Sequence, residues 1–348
     1  MTIDVVIPVF GGAAPTRKCL ESVLSNAQAA PLEVVVVDDA SPDAAITGYL
    51  DDLSRAGRVT LLRNEANLGF VRSVNRGMSL HPDRDVVLLN SDTEVANDWL
   101  DRMRGAACRA AEVATVTPFS NNATICSYPF EGWNAGLPGA LGLARLDRLF
   151  ATTNTGRTVD LPTAVGFCMY IRRDCLDKIG LFDAERFGRG YGEENDFCMR
   201  ASRGGWRHVL AADVFVFHEG SVSFRGERLS LIETAMAALL EVHPGYLDQV
   251  REFIARDPAR PLRAAIDEAR IACDAREAEH VRRERAREGQ GAPSPGVPRT
   301  AMSAATAMRL LALLFTPTAG KPLRARLRAI LRREGLGGVA RRVRGATR

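Results

Sequence analysis

Two short β-branched runs, IDVVIPV at 3–9 and LEVVVV at 32–37, enclose a segment, Thr16 to Asn26, whose apolar Cys19, Leu20, Val23 and Leu24 share one helical face. Strands joined through such a helix lie parallel, and a parallel pair needs helices covering its faces. The chain is therefore α/β, beginning with a right-handed βαβ unit. The alternation continues with a strand at Val59–Leu62, a helix at Phe70–Leu80 and a strand at Asp85–Leu89. Polar stretches follow the strand ends at Phe10–Gly12, Asp38–Ser41 and Asn90–Glu94, the edge at which open α/β sheets bind ligands.

From Ala164 the pattern changes. AVGFCMYIRRDCLDKIG predicts a strand and a short helix, LFDAERFGRGYG a loop, GEENDFCMR a helix with an acidic first turn, and VFVFH a strand ending at His218. Beyond Arg225 the composition is helical and charged, with an amphipathic helix at Leu229–Val242, one or two more across Tyr246–Arg287, and a linker at GQGAPSPGVP. Three regions are expected: 1–225, 226–290 and a linker with a basic tail at 291–348.

The seven cysteines form no CxxC pair, which argues against zinc or a disulfide scaffold and for a reducing, cytoplasmic setting. MTIDVVIPVF is no signal peptide, and AMRLLALLF is far shorter than the ~20 residues of a spanning helix. Net charge is +4, but from Gly296 onward twelve lysines and arginines face one acid. LRARLRAILRR places Leu323, Leu327, Ile330 and Leu331 on one stripe among arginines, which suits the inner face of an anionic membrane or a solvated helix, with nucleic acid the least favoured partner.

Several residues allow two roles on spacing alone. Asp38, Asp39 and Ser41 suit helix capping or ligand binding, and Asp92 a cap or a cation-binding carboxylate, with Glu94 as a second candidate ligand. His218 suits a structural or a ligating histidine. Glu193, Glu194 and Asp196 favour the positive end of a helix dipole, yet three acids in four positions exceed what one helix start requires.

VIPVFGG, VVVVDDASPD, NLGFVRSVN, LLNSDTEV, AVGFCMYIRRDCL, GYGEENDFCMR and the late His218, in that order, resemble family 2 glycosyltransferases with the GT-A fold, over about two thirds of the chain. The likeness extends to bacterial rhamnosyltransferase-type members. It implies a Rossmann-like, mostly parallel sheet flanked by helices, with a helical extension, and an inverting transfer from a nucleotide-diphosphate sugar, dTDP- or UDP-linked in preference to GDP-linked. The acceptor it implies is a glycan or lipid-linked saccharide in cell-surface polysaccharide synthesis.

By the same resemblance, Pro8, Val9 and Phe10 wrap the base, Asp39 accepts its imide N–H, and Arg72, Asn75 and Ser91 bind the nucleotide. Asp92 and His218 hold Mn²⁺ or Mg²⁺, although Asn90 replaces the first acid of the DxD motif. Glu194 takes the place of the base, a Glu for the usual Asp, while Gly166, Tyr191, Glu193 and Asp196 meet the acceptor. Two other readings stand beside it. A non-catalytic sugar-nucleotide-binding protein accounts for Asn90 and Glu194; a sugar nucleotidyltransferase requires a basic Gly-rich loop, which VIPVFGGAAP lacks before Arg17.

Overall fold

The computed structural model describes residues 2–188, 190–220 and 228–290. The boundary expected at 225 and the basic tail at 291–348 lie outside the described residues. The first half alternates as expected, with one helix, α2, added between the second and third strands: β1 (Ile3–Val9), α1 (Ala13–Ser25), β2 (Leu32–Asp38), α2 (Ala44–Arg55), β3 (Thr60–Arg63), α3 (Phe70–Met78) and β4 (Asp85–Leu89). After these come β5 (Thr93–Glu94), α4 (Trp99–Ala107), β6 (Val113–Ser120), α5 (Leu143–Thr153), β7 (Thr158–Leu161), β8 (Cys168–Ile171), α6 (Arg173–Ile179), α7 (Ala184–Phe187), α8 (Glu193–Arg203) and β9 (Arg207–His218). Four helices close the described chain: α9 (Arg228–Val242), α10 (Tyr246–Arg256), α11 (Arg260–Cys273) and α12 (Glu277–Gln290).

The strands form one nine-stranded sheet in the order β3-β2-β1-β4-β8-β6-β9-β5, with β7 against β9. It is mixed rather than mostly parallel. β3, β2, β1 and β4 run parallel, as do β6 and β9, while β8 is antiparallel to both its neighbours. β5 and β7 also pair antiparallel with β9. The unexpected strands have local causes: Pro118 breaks the apolar reading of β6 and sits where its register against β9 shifts, and β7 is four residues long.

Helix packing fixes the sheet's position. A Cβ on Gly77 of α3 would lie 2.4 Å from Val6 Cγ1, so α3 approaches β1 more closely than any side chain there would allow. On the other half, Phe150 of α5 packs against Phe119 of β6, Phe215 of β9 and Tyr128, at ring separations of 5.5, 5.2 and 5.1 Å. The segment expected to hold one or two helices after α9 holds three. Asp257, with φ of 41° before Pro258, ends α10, and extended Asp274 ends α11. α11 and α12 pack on the sheet body through a buried ionic cluster, in which Arg270 meets Glu277 (2.7 Å) and Glu284 (2.6 Å) while Tyr128 Oη donates to Asp267 (2.7 Å).

Candidate active site

The C-terminal ends of β1, β2, β4 and β9 reach one edge of the sheet, and antiparallel β8 brings its N-terminal end there too, Cys168 pairing with Leu89. At the donor half, Asp39 is buried. Its Oδ1 accepts from Asn64 Nδ2 (2.7 Å) and Leu68 N (2.8 Å), and its Oδ2 from Gly69 N (2.9 Å). It thus builds the turn into α3, while neighbouring Asp38 takes Ser41 N and Arg63 Nε. Val9 is buried and its carbonyl accepts from Asp39 N (2.9 Å), whereas Pro8 and Phe10 are half-buried beside it.

Arg72 and Asn75 point elsewhere. Arg72 pairs with Glu185 (2.6 Å), and the Asn75 amide exchanges two hydrogen bonds with the backbone of Phe182. Both tie α3 to the α7 segment, so Asn75 has its amide committed away from the nucleotide role the resemblance implies.

The loop after β4 carries half-buried Ser91 and Asp92. Antiparallel pairing sets Thr93 opposite His218, and Glu219 N donates to the Asp92 carbonyl (2.9 Å), bringing Asp92 Oδ1 within 3.4 Å of His218 Nε2. His218 Nδ1 lies 2.8 Å from the Asn122 carbonyl and so carries a proton, and Phe167 stacks on the ring at 5.2 Å. An imidazole anchored through Nδ1, with Nε2 facing a carboxylate, is the arrangement of a metal-ligating histidine. Burial pushes the Asp92 carboxyl up, but the facing His218 side chain, with the Gly220 N–H, outweighs it and holds the group below the usual range. This donor set fits a hard or borderline divalent ion. Glu94, opposite Phe217 in β5, is not part of that pair.

Among the described residues a second acid and histidine cluster, Asp4, Glu33 and His81, lies at the opposite edge. Arg84 Nη1 occupies it, 3.0 Å from Asp4 and 2.6 Å from Glu33, so its charge is already balanced by a guanidinium.

The acidic helix starts after Gly190, Tyr191 and Gly192, with φ of 114°, 70° and 94°. Tyr191 holds a left-handed conformation rare for a side chain of its size. The β7–β8 loop docks on this helix: Asn195 Nδ2 donates to Thr163 Oγ1 (3.0 Å), Ala164 N to Cys198 Sγ (3.3 Å), and a Cβ on Gly166 would lie 3.6 Å from Glu194. The loop's other end accepts Asn90 N at the Phe167 carbonyl (2.8 Å), linking the carboxylate helix to the Asp92 loop.

Glu193 and Glu194 each keep one buried carboxylate oxygen without a hydrogen-bond partner. Burial, then the charge of Glu194, pushes Glu193 well above the usual carboxylate range. Burial raises Glu194 as well, tempered by N–H groups at the helix start. Asp196 differs: Arg200 Nε (2.8 Å) and His243 Nε2 (2.7 Å) take both its oxygens, so it faces protein where acceptor contact was expected. Arg200 stands one helical turn after Asp196, the spacing at which such a pair meets. Phe187 is buried, and Trp206 sits beyond the far end of α8 under Lys178 and Arg172. Asn64, Asn122, His243 and Tyr246 carry no local motif, and only the tertiary fold brings them here.

A mixed sheet with a carboxylate–imidazole pair at the centre of its edge and a buried acidic helix start beside it defines a GT-A protein. The glycosyl transferase family 2 model matches residues 4–180, about half of the chain, and the chain belongs to that family. It is similar to the glycosyltransferase AglE of Haloferax volcanii, 22% identical over 217 residues, which cover 62% of this chain and 66% of that protein. It also resembles polypeptide N-acetylgalactosaminyltransferase 4 of Caenorhabditis elegans, 26% identical over 165 residues, with 44% and 27% covered. The mannosyltransferase PcManGT of Pyrobaculum calidifontis, solved with GDP-Man and Mn²⁺, shares the fold at a TM-score of 0.51 and 16% identity, over 90% of this chain and 86% of that one. The matches span between 25% and 34% of the length of several curated relatives.

Proposed function

We propose that this chain transfers a sugar, with inversion, from a nucleotide-diphosphate donor to a hydroxyl of a glycan or lipid-linked saccharide in cell-surface polysaccharide synthesis. The observation that carries the reading is the meeting at one sheet edge of the Asp92–His218 pair and the buried Glu193–Glu194 pair, joined through the Ala164–Phe167 loop. Asp92 and His218 would hold Mn²⁺ or Mg²⁺, which supplies charge neutralisation for a leaving diphosphate. Ser91 lies in the same loop, on the nucleotide side.

Glu194 accepts the proton of the attacking hydroxyl. A carboxylate raised by burial is a stronger base than an exposed one, and protonated Glu193 beside it removes the repulsion of a second charge. Gly166 and Tyr191 border the acceptor space. Asp39 spends three acceptor positions on its own loop, and a remaining lone pair on Oδ2 suits the imide N–H of uracil or thymine. That a structural neighbour was solved with GDP-Man and another with UDP keeps the guanine alternative in the test. No helix of the described residues is long and apolar enough to cross a membrane.

Nucleoside diphosphate release from dTDP-, UDP- and GDP-sugars, with and without Mn²⁺, tests the reading. Release from one donor is expected, lost in Asp92→Ala and reduced roughly 10²–10⁴-fold in Glu194→Gln, which still binds nucleotide. Undiminished release in Glu194→Gln would sink the assignment of the base. Nucleotide binding without turnover on any acceptor would favour the non-catalytic alternative.

A further inference from the structure

The family match ends at residue 180, yet α8 is held by segments later still. The C-terminal end of α9 and its turn into α10 lie along α8, meeting Asp196 of its first turn and Arg203 at its end. His243, 1% exposed, sets Nε2 2.7 Å from Asp196 Oδ1, and Arg203 Nη2 donates to the Val242 carbonyl beside it (2.9 Å). Tyr246 N closes the turn on the His243 carbonyl (3.0 Å). The Tyr246 ring is buried close enough to Glu194 for that charge, after burial itself, to push its phenol up. Asp196 Oδ2 is meanwhile fixed by Arg200 Nε, whose other nitrogens hold the carbonyls of Ile179 (2.7 Å) and Leu181 (2.9 Å).

The contact has a cost that simple packing would avoid. His243 Nδ1 is buried and has no partner, where an apolar side chain would leave nothing unsatisfied. What the imidazole supplies in return is direction: a hydrogen bond with one acceptor atom fixes Asp196 in a way an apolar contact does not. Asp196 lies two residues after Glu194 in the same helical turn, its own N–H on the Gly192 carbonyl (2.8 Å).

We infer that His243 is a positioning residue: through Asp196 it holds the first turn of α8, and so fixes where Glu194 stands at the sheet edge. The inference rests on the reading of Glu194 as base. Among the described residues, the charged and titratable groups facing this turn are Glu193, Glu194, Cys198 and Arg200 of α8, with His243 and Tyr246 of the extension.

The test compares the full chain with His243→Leu, which cannot donate, and His243→Gln, whose amide N–H can take the place of Nε2. Three quantities are read: kcat against donor KM, the midpoint of the acid limb of kcat, and hydrogen exchange at amides 193–197. Expected for His243→Leu are a kcat loss of roughly tenfold or more with donor KM within about twofold, and at least about tenfold faster exchange at 193–197 with β1 unchanged. Its acid limb moves to higher pH, because Asp196, having lost one of its two partners and kept Arg200 alone, presents more negative charge to Glu194. His243→Gln restores all three.

Wild-type kcat, acid limb and local exchange in His243→Leu would overturn the inference, as would faster exchange spread evenly over the chain. If His243→Leu does not fold, His243→Asn, too short to reach Asp196, replaces it in the same comparison. A wild-type protein that turns over no donor defeats the functional reading instead, and the exchange comparison still decides the role of His243.

Discussion

Side chains at the sheet edge divide into those spent on the protein and those left with unused capacity. Asp39 is mostly spent, and Asp39→Ala, by orphaning the Leu68 and Gly69 amides, is expected to lower stability by about 2 kcal/mol in chemical denaturation. Glu193 is the opposite case. Its folded carboxyl holds a proton more tightly than in the unfolded chain, so its contribution is fully present below the unfolded pKa and is lost as pH rises through the raised folded one. Glu193→Gln removes that loss. Its unfolding free energy is expected to match wild type in acid and to exceed it at neutral pH, read by chemical denaturation across that range. An advantage that shrinks toward neutral pH would mean that Glu193 is charged in the fold.

Among elements, most of the parallel half was legible because its strands are short apolar runs and α1 and α3 each carry an apolar stripe in a single segment. β6 was not, since Pro118 interrupts it, nor was α2, in which Ile46 and Leu50 alone are buried. The site divides in the same way. Asp92, Glu194 and His218 announce themselves by short motifs after strand or helix ends, whereas Asn122 and His243 act through single contacts that no spacing encodes. The α3–β1 contact gives a sharp test at this scale. Gly77→Ala forces a methyl against Val6, and a loss of about 1–3 kcal/mol is expected in a denaturant titration.

Over the whole molecule, the helices after β9 are part of the working body. Arg270 is fully buried between Glu277 and Glu284, both of which also accept from the loop before α5, at Ala140 N and Gly139 N. Arg270→Met strands two buried carboxylates, and a loss of about 3–5 kcal/mol is expected by thermal or chemical unfolding. An unchanged midpoint would show that the cluster contributes nothing net. The reversed direction of β8 has a reach beyond sheet order. In a sheet whose strands all run one way, a given edge receives only the loops that leave strands; turning one strand over lets a loop that enters a strand arrive among them. Ala164–Phe167 comes to the Asp92 edge by that route, from a segment more than seventy residues downstream of Asp92. The Asp92 loop and the Ala164–Phe167 loop can therefore change length and composition separately, although they meet at one edge.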